Sequence, residues 1–213
     1  AFRPFANASR TRPLLMRAFL AALVRLATGV RLLPEAPHGN GPAIFFANHA
    51  SHMDFVVVWA ALPNALRDLT SPAAAEDYWG ATTLRRRIAC ELFRAVLIPR
   101  RDVNRSNHPV ERLGTALEAG RSVILFPEGT RSLDGETSEF KSGLYHLARR
   151  YPDIPLIPVH LENLSRILPK GSRLPVPLIA QARFLAPMRL EPEEPKPVFL
   201  QRARAALEEI DPH

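Results

Sequence analysis

Three short apolar runs constrain this chain most: residues 43–47, 122–126 and 156–161. Each is too short for a core helix and too uniformly apolar for a strand with one wet face, so each reads as a strand buried on both sides. Between and after them lie segments with helical signals. Residues 55–62 form one, ended by Pro63, and residues 83–93 another. Pro109 opens a third and Gly120 stops it, and residues 140–150 and 198–210 follow. Further short strands are expected at 95–98 and 178–184, while 64–80 is mixed. Strands alternating with helices predict an α/β fold: a single domain with a mixed, mostly parallel sheet flanked by helices.

The length of 213 residues suits one such domain. A single cysteine, Cys90, excludes an internal disulfide framework. The first residues do not read as a secretory leader, and Ala1 in place of a methionine leaves room for sequence upstream. Pro13 opens a helix expected to run to Leu33, with Arg17, Arg25 and Arg31 on one side and Leu15, Phe19, Leu26 and Val30 on the other. Its arginines interrupt it too often for a membrane span. It reads as a helix lying in a membrane interface, or equally as a surface helix whose apolar side covers the core. The expected division is 1–34 as an amphipathic, membrane-facing segment and 35–213 as the α/β domain.

Charge sharpens the question of partner. Residues 1–35 hold six arginines against Glu35, and residues 85–105 hold seven against Glu91 and Asp102. Two basic regions imply an anionic partner: nucleic acid, lipid headgroups or a phosphorylated substrate. No nucleic-acid module signature is present, so nucleic acid is not expected.

Ligands of open α/β sheets bind beyond the carboxyl ends of the strands. Asn48 and His49 follow the first apolar run, Arg100 and Arg101 the 95–98 strand, and Glu128, Gly129, Thr130 and Arg131 the 122–126 run. Asp54 stands five residues after His49, at the start of the next helix. A carboxylate there can accept from one imidazole nitrogen and leave the other as a base. Ser51-x-x-Asp54 also reads as a capping box, with His49 a satisfied polar group at a strand end. A metal site built from His49, His52 and Asp54 lacks any supporting ligand pattern, so no metal is expected. Gly129 allows close backbone approach, Arg131 offers a fork for phosphate oxygens, and Lys141 is a further candidate for the anion.

Taken together, these motifs resemble those of the glycerolipid acyltransferase family. Asn48, His49, Ser51 and Asp54 match its first motif, and residues 126–132, Phe-Pro-Glu-Gly-Thr-Arg-Ser, match its third in full. Ile98, Pro99 and Arg100 match the second loosely, without its usual preceding glycine, since Arg94 and Ala95 stand there. Ile157, Pro158 and Val159 match the fourth, and residues 140–143 the Phe-Lys-x-Gly that follows the third. The resemblance implies a 1-acylglycerol-3-phosphate acyltransferase-like enzyme. His49 would be general base, oriented by Asp54. Asn48, Arg100, Arg101, Glu128, Gly129, Thr130, Arg131 and Lys141 would bind the acceptor, with Ile157 and Pro158 on the acyl-donor side. The implied donor is an acyl-thioester on acyl carrier protein or coenzyme A, the acceptor a lysophospholipid, and no cofactor is needed. A lyso-aminolipid acceptor, or thioester hydrolysis by the same pair, stays open. The expected location is the cytoplasmic side of a membrane, peripheral or monotopic, against anionic lipid.

Overall fold

β1 (Ile44–Ala47) is buried along its whole length and is paired in parallel on both sides, with β4 (Ser122–Leu125) and with β5 (Leu156–Glu162). The computed structural model describes residues 8–31, 41–49, 54–104, 107–130, 138–162 and 181–208, and the side chains of the first segment from Leu14 onward. Around β1 the sheet has six strands in the order β3-β2-β4-β1-β5-β6, where β2 is Thr70–Ala75, β3 Val96–Ile98 and β6 Gln181–Phe184. Only β6 is antiparallel.

The continuous apolar runs follow from helices on both faces. Phe45, Ala47, Ile124, Ile157 and Val159 point to one face, beside α1 (Ala8–Thr28) and α2 (Asp54–Ala61). Ile44, Phe46, Val123, Leu125 and Leu156 point to the other, beside α6 (Pro109–Glu118), α7 (Gly143–Arg150) and α8 (Lys196–Glu208). α2 is buried on every side, which explains a sequence with no polar face after Asp54.

Several elements differ from the sequence-based expectation. The mixed 64–80 segment holds α3 (Asn64–Asp68), the inner strand β2 and α4 (Glu76–Trp79). β2 has few β-branched residues and contains Pro72. The proline is tolerated because Thr70 to Pro72 lie in register with β4 and Ala73 to Ala75 with β3, so it sits where the strand changes partner. The 83–93 helix is α5 (Thr83–Arg87) continued by a π-helical turn, Ile88–Leu92. α7 starts only at Gly143, because Lys141 N–H is taken by the Pro127 carbonyl, 2.8 Å away. The Pro109 and Gly120 signals hold: α6 ends as Gly120 adopts φ 72°.

α1 departs most. It stops at Thr28 and not at Leu33, because Gly29 takes φ 69° and its N–H closes on the Arg25 carbonyl. Of its two expected orientations, it is not the one in which Leu15, Phe19 and Leu26 cover the core, although Val30, just past the helix, is buried and Arg31 exposed. Arg17, only 2% exposed, donates to the Arg67 carbonyl at 3.2 Å and pairs with Asp68 at 3.3 Å. Arg25 donates to the Ala60 carbonyl at 3.0 Å. The arginines thus face the protein and satisfy carbonyls in the last turns of α3 and α2. Leu15, Phe19, Leu23 and Leu26 face outward, Phe19 at 71% and Leu26 at 85% exposure. No helix among the described residues is long and apolar enough to cross a membrane.

Candidate active site

The parallel strands put the carboxyl ends of β1, β4 and β5 side by side, and the loops after β1 and β4 meet there. Asn48 leaves β1 first. Its side-chain amide donates to the Leu161 carbonyl at 2.9 Å and accepts from the Leu161 N–H at 2.8 Å. The residue expected to bind substrate therefore clamps the β1 loop to the end of β5, as a strand would.

His49 follows. Its Nδ1 lies 2.8 Å from Oδ2 of Asp54, in the first turn of α2, and Asp54 is 1% exposed. The Phe126 ring stacks on the imidazole with centroids 4.4 Å apart and planes 24° from parallel. With Nδ1–H donating to Asp54, Nε2 is the basic nitrogen, and no group among the described residues hydrogen-bonds it. Helix start, buried carboxylate and aromatic plate fix the ring in one orientation.

Glu128 is 2% exposed, and both its oxygens are used by backbone. Oε1 accepts from the His49 N–H at 2.8 Å and Oε2 from the Ser138 N–H at 3.0 Å. It was expected to bind the acceptor; in the structure it is the brace that ties the β4 loop to the histidine. Gly129 adopts φ 69°, and a Cβ there would stand 2.7 Å from Lys141 Nζ. Lys141 therefore lies across the Gly129 backbone, at the same loop as exposed Thr130. Arg131 lies outside the described residues, as do Ser51 and His52.

Arg100 and Arg101 are exposed beyond β3, at the sheet edge. β2 and β4 separate β3 from β1, which amounts to roughly 14 Å of strand spacing. β3 ends level with β2, Ile98 opposite Ala75, and past the end of β4, so its loop opens on the same carboxyl side of the sheet. Ile157 and Pro158 do not reach a ligand surface. Both are buried in the middle of β5, in register with Phe45 and Phe46, and the Pro158 carbonyl accepts from Leu185 N–H at 3.0 Å. A proline and a branched residue at those positions fill the core. Phe126 and Ser138 complete the site without having been given a role in the sequence. Phe126 opens the third motif but ends an apolar run that hides its stacking on His49, and Ser138 contributes only a backbone N–H. Cys90 lies elsewhere, packed with Ala74, Ala89 and Leu97.

The family model described as Acyltransferase matches residues 26–162, which contain the whole His49–Asp54–Glu128 arrangement. The chain belongs to the acyltransferase family. It is 26% identical over 148 residues to a chloroplastic 1-acyl-sn-glycerol-3-phosphate acyltransferase of Brassica napus, covering 68% of this chain and 40% of that one. A 1-acyl-sn-glycerol-3-phosphate acyltransferase of Limnanthes douglasii is 30% identical over 162 residues, covering 72% and 53%. The alpha form from Bos taurus is 25% identical over 190 residues, covering 86% and 64%. The chain thus spans about half the length of these curated relatives. The crystal structure of the 1-acyl-sn-glycerophosphate acyltransferase from Thermotoga maritima superposes with a TM-score of 0.72 at 18% identity, over 96% of this chain and 82% of that one, so the two share a fold.

Proposed function

We propose that the protein transfers a fatty acyl group from an acyl-thioester to the free hydroxyl of a lysophospholipid, first of all 1-acylglycerol-3-phosphate, which would become phosphatidate. The observation that carries this reading is the 2.8 Å contact between His49 Nδ1 and buried Asp54, at strand ends where Nε2 has no partner among the described residues. In this reading Nε2 takes the proton of the acceptor hydroxyl, the oxygen attacks the thioester carbonyl, and the thiol leaves with a proton. Asp54 stabilises the imidazolium formed in between. No protein nucleophile is required. Arg100, Arg101, Thr130, Arg131 and Lys141 supply the cationic and hydroxyl groups for the acceptor phosphate, with Gly129 giving the backbone room to approach it. The donor is carried by acyl carrier protein or coenzyme A, and no cofactor takes part.

Such an acceptor has its acyl tail in a bilayer, so the enzyme works at a membrane surface, on the cytoplasmic side. The outward apolar face of α1 supports this: Leu15, Phe19, Leu23 and Leu26 repeat at helical spacing, and nothing in the described fold covers them.

Thiol release from an acyl-thioester, with and without lysophosphatidate, tests the proposal in the wild type and His49→Ala. Release that depends on the acceptor and disappears in the variant is the expected result. Release indifferent to any lysolipid would identify a hydrolase instead. Dependence on a lyso-aminolipid alone would keep the reaction and change the acceptor.

A further inference from the structure

Arg85, Arg86 and Arg87 take no part in the site just described, but the short helix that leads to them packs beside it. The chain leaves the carboxyl end of β2 directly into α4, and after Gly80 enters α5. Trp79 of α4 meets Phe55 edge to face, with centroids 5.6 Å apart, and Phe55 is the next residue after Asp54. The outer side of these two short helices combines apolar and cationic groups. Leu84 is 68% exposed and Tyr78 is also exposed, with the Arg85 guanidinium 4.4 Å above the Tyr78 ring. Arg85, Arg86 and Arg87 are all exposed. Two acids border the patch: Glu91 approaches Arg87 at 3.6 Å with both side chains in solvent, a pairing too screened to neutralise it, and Asp77 of α4 is exposed beside Tyr78, so the arginines keep a net positive charge.

We propose that α4 and α5 form a second membrane contact, in which the three arginines take anionic headgroups while Leu84 and Tyr78 enter the interface. The inference rests on the reading of the protein as an enzyme for a membrane-held acceptor. Two observations favour a lipid surface over an acidic protein. The π-helical continuation of α5 and the inner face of α1 pack into the same core layer, around α2, so both exposed surfaces belong to one side of the sheet. Arg85, Arg86 and Arg87 are also consecutive, about 100° apart around the helix, so they reach one surface only through their long, flexible side chains. Such charges suit a fluid layer of phosphates better than a fixed set of carboxylates. Tyr78 carries an apolar ring with a polar tip, which fits the headgroup level. With this contact made, the mouth beside His49 is held at the depth where the acceptor phosphate lies.

The test uses the full chain and its Arg85→Gln/Arg86→Gln/Arg87→Gln variant in flotation with phosphatidylcholine vesicles, with and without phosphatidylglycerol. The variant should lose about fivefold in partitioning to anionic vesicles per arginine removed. It should match the wild type on neutral vesicles, in melting temperature, and in acceptor-dependent thiol release in neutral detergent micelles. Equal binding of both proteins to anionic vesicles overturns the proposal, as does a wild type that ignores anionic lipid. Intact vesicle binding with a lower rate only when acyl carrier protein presents the donor overturns it in favour of an acidic protein partner. Failure of the wild type to release thiol with any lysolipid in micelles would sink the acyl-transfer reading, while flotation still decides the membrane contact.

Discussion

In the proposed reaction, Asp54 is the residue on which His49 depends. It holds Nδ1 at 2.8 Å from a buried position and so determines which nitrogen is basic. His49→Ala should cost at least ~10²–10⁴ in acyl-transfer rate, read as kcat of acceptor-dependent thiol release, with no change in melting temperature. Glu128 permits a sharper test, since the sequence alone suggested that it touches the acceptor. Both oxygens accept backbone N–H groups. In Glu128→Gln one oxygen becomes an amide that must face a donor. Stability should fall by about 1–3 kcal/mol, and kcat should fall with it because the His49 backbone loses its brace. KM for the acceptor should stay put. A raised KM with kcat and stability unchanged would return Glu128 to the acceptor.

At the scale of elements, the order of strands and helices was readable because periodicity and start and stop residues are local. What joins them was not. Asn48 looks like a free polar residue beside a histidine, and its partner Leu161 lies 113 positions away. Asn48→Ala would leave the Leu161 N–H and carbonyl unpaired, and urea unfolding should show a loss of roughly 2 kcal/mol or more. An unchanged midpoint would mean that water replaces the clamp. The inner strand β2 escaped notice for a related reason. Its small residues carry little strand propensity, and only pairing with β3 and β4 makes it a strand. Ile157 and Pro158 show the reverse: positions that the family resemblance put on the acyl-donor side became core positions once β5 gained neighbours on both sides.

For the molecule as a whole, the proposed membrane-facing side depends on α1, whose amphipathic pattern was plain but whose sense was not. Arginines face inward here because carbonyls of Arg67 and Ala60, 50 and 35 residues further along, accept from Arg17 and Arg25. Trp59 lies under both Arg17 and Arg67, at 5.7 and 5.1 Å. Deleting the segment would therefore be a poor test of membrane binding, since Ala21 and Val24 are part of the core. Phe19→Glu/Leu26→Glu changes only exposed positions. It should weaken partitioning onto phosphatidylcholine vesicles by about tenfold or more and leave urea stability unchanged, because a buried aromatic or leucine contributes ~1.5–3 kcal/mol. Salt separates this contact from the one at α5. Raising ionic strength shortens the reach of the arginines and should erase most of the difference between wild type and the triple arginine variant. The loss caused by the α1 variant should persist, since burial of apolar surface in the bilayer is not screened. If both losses vanish together at high salt, α1 touches the membrane only through charge, and its outward leucines must be covered by something other than lipid.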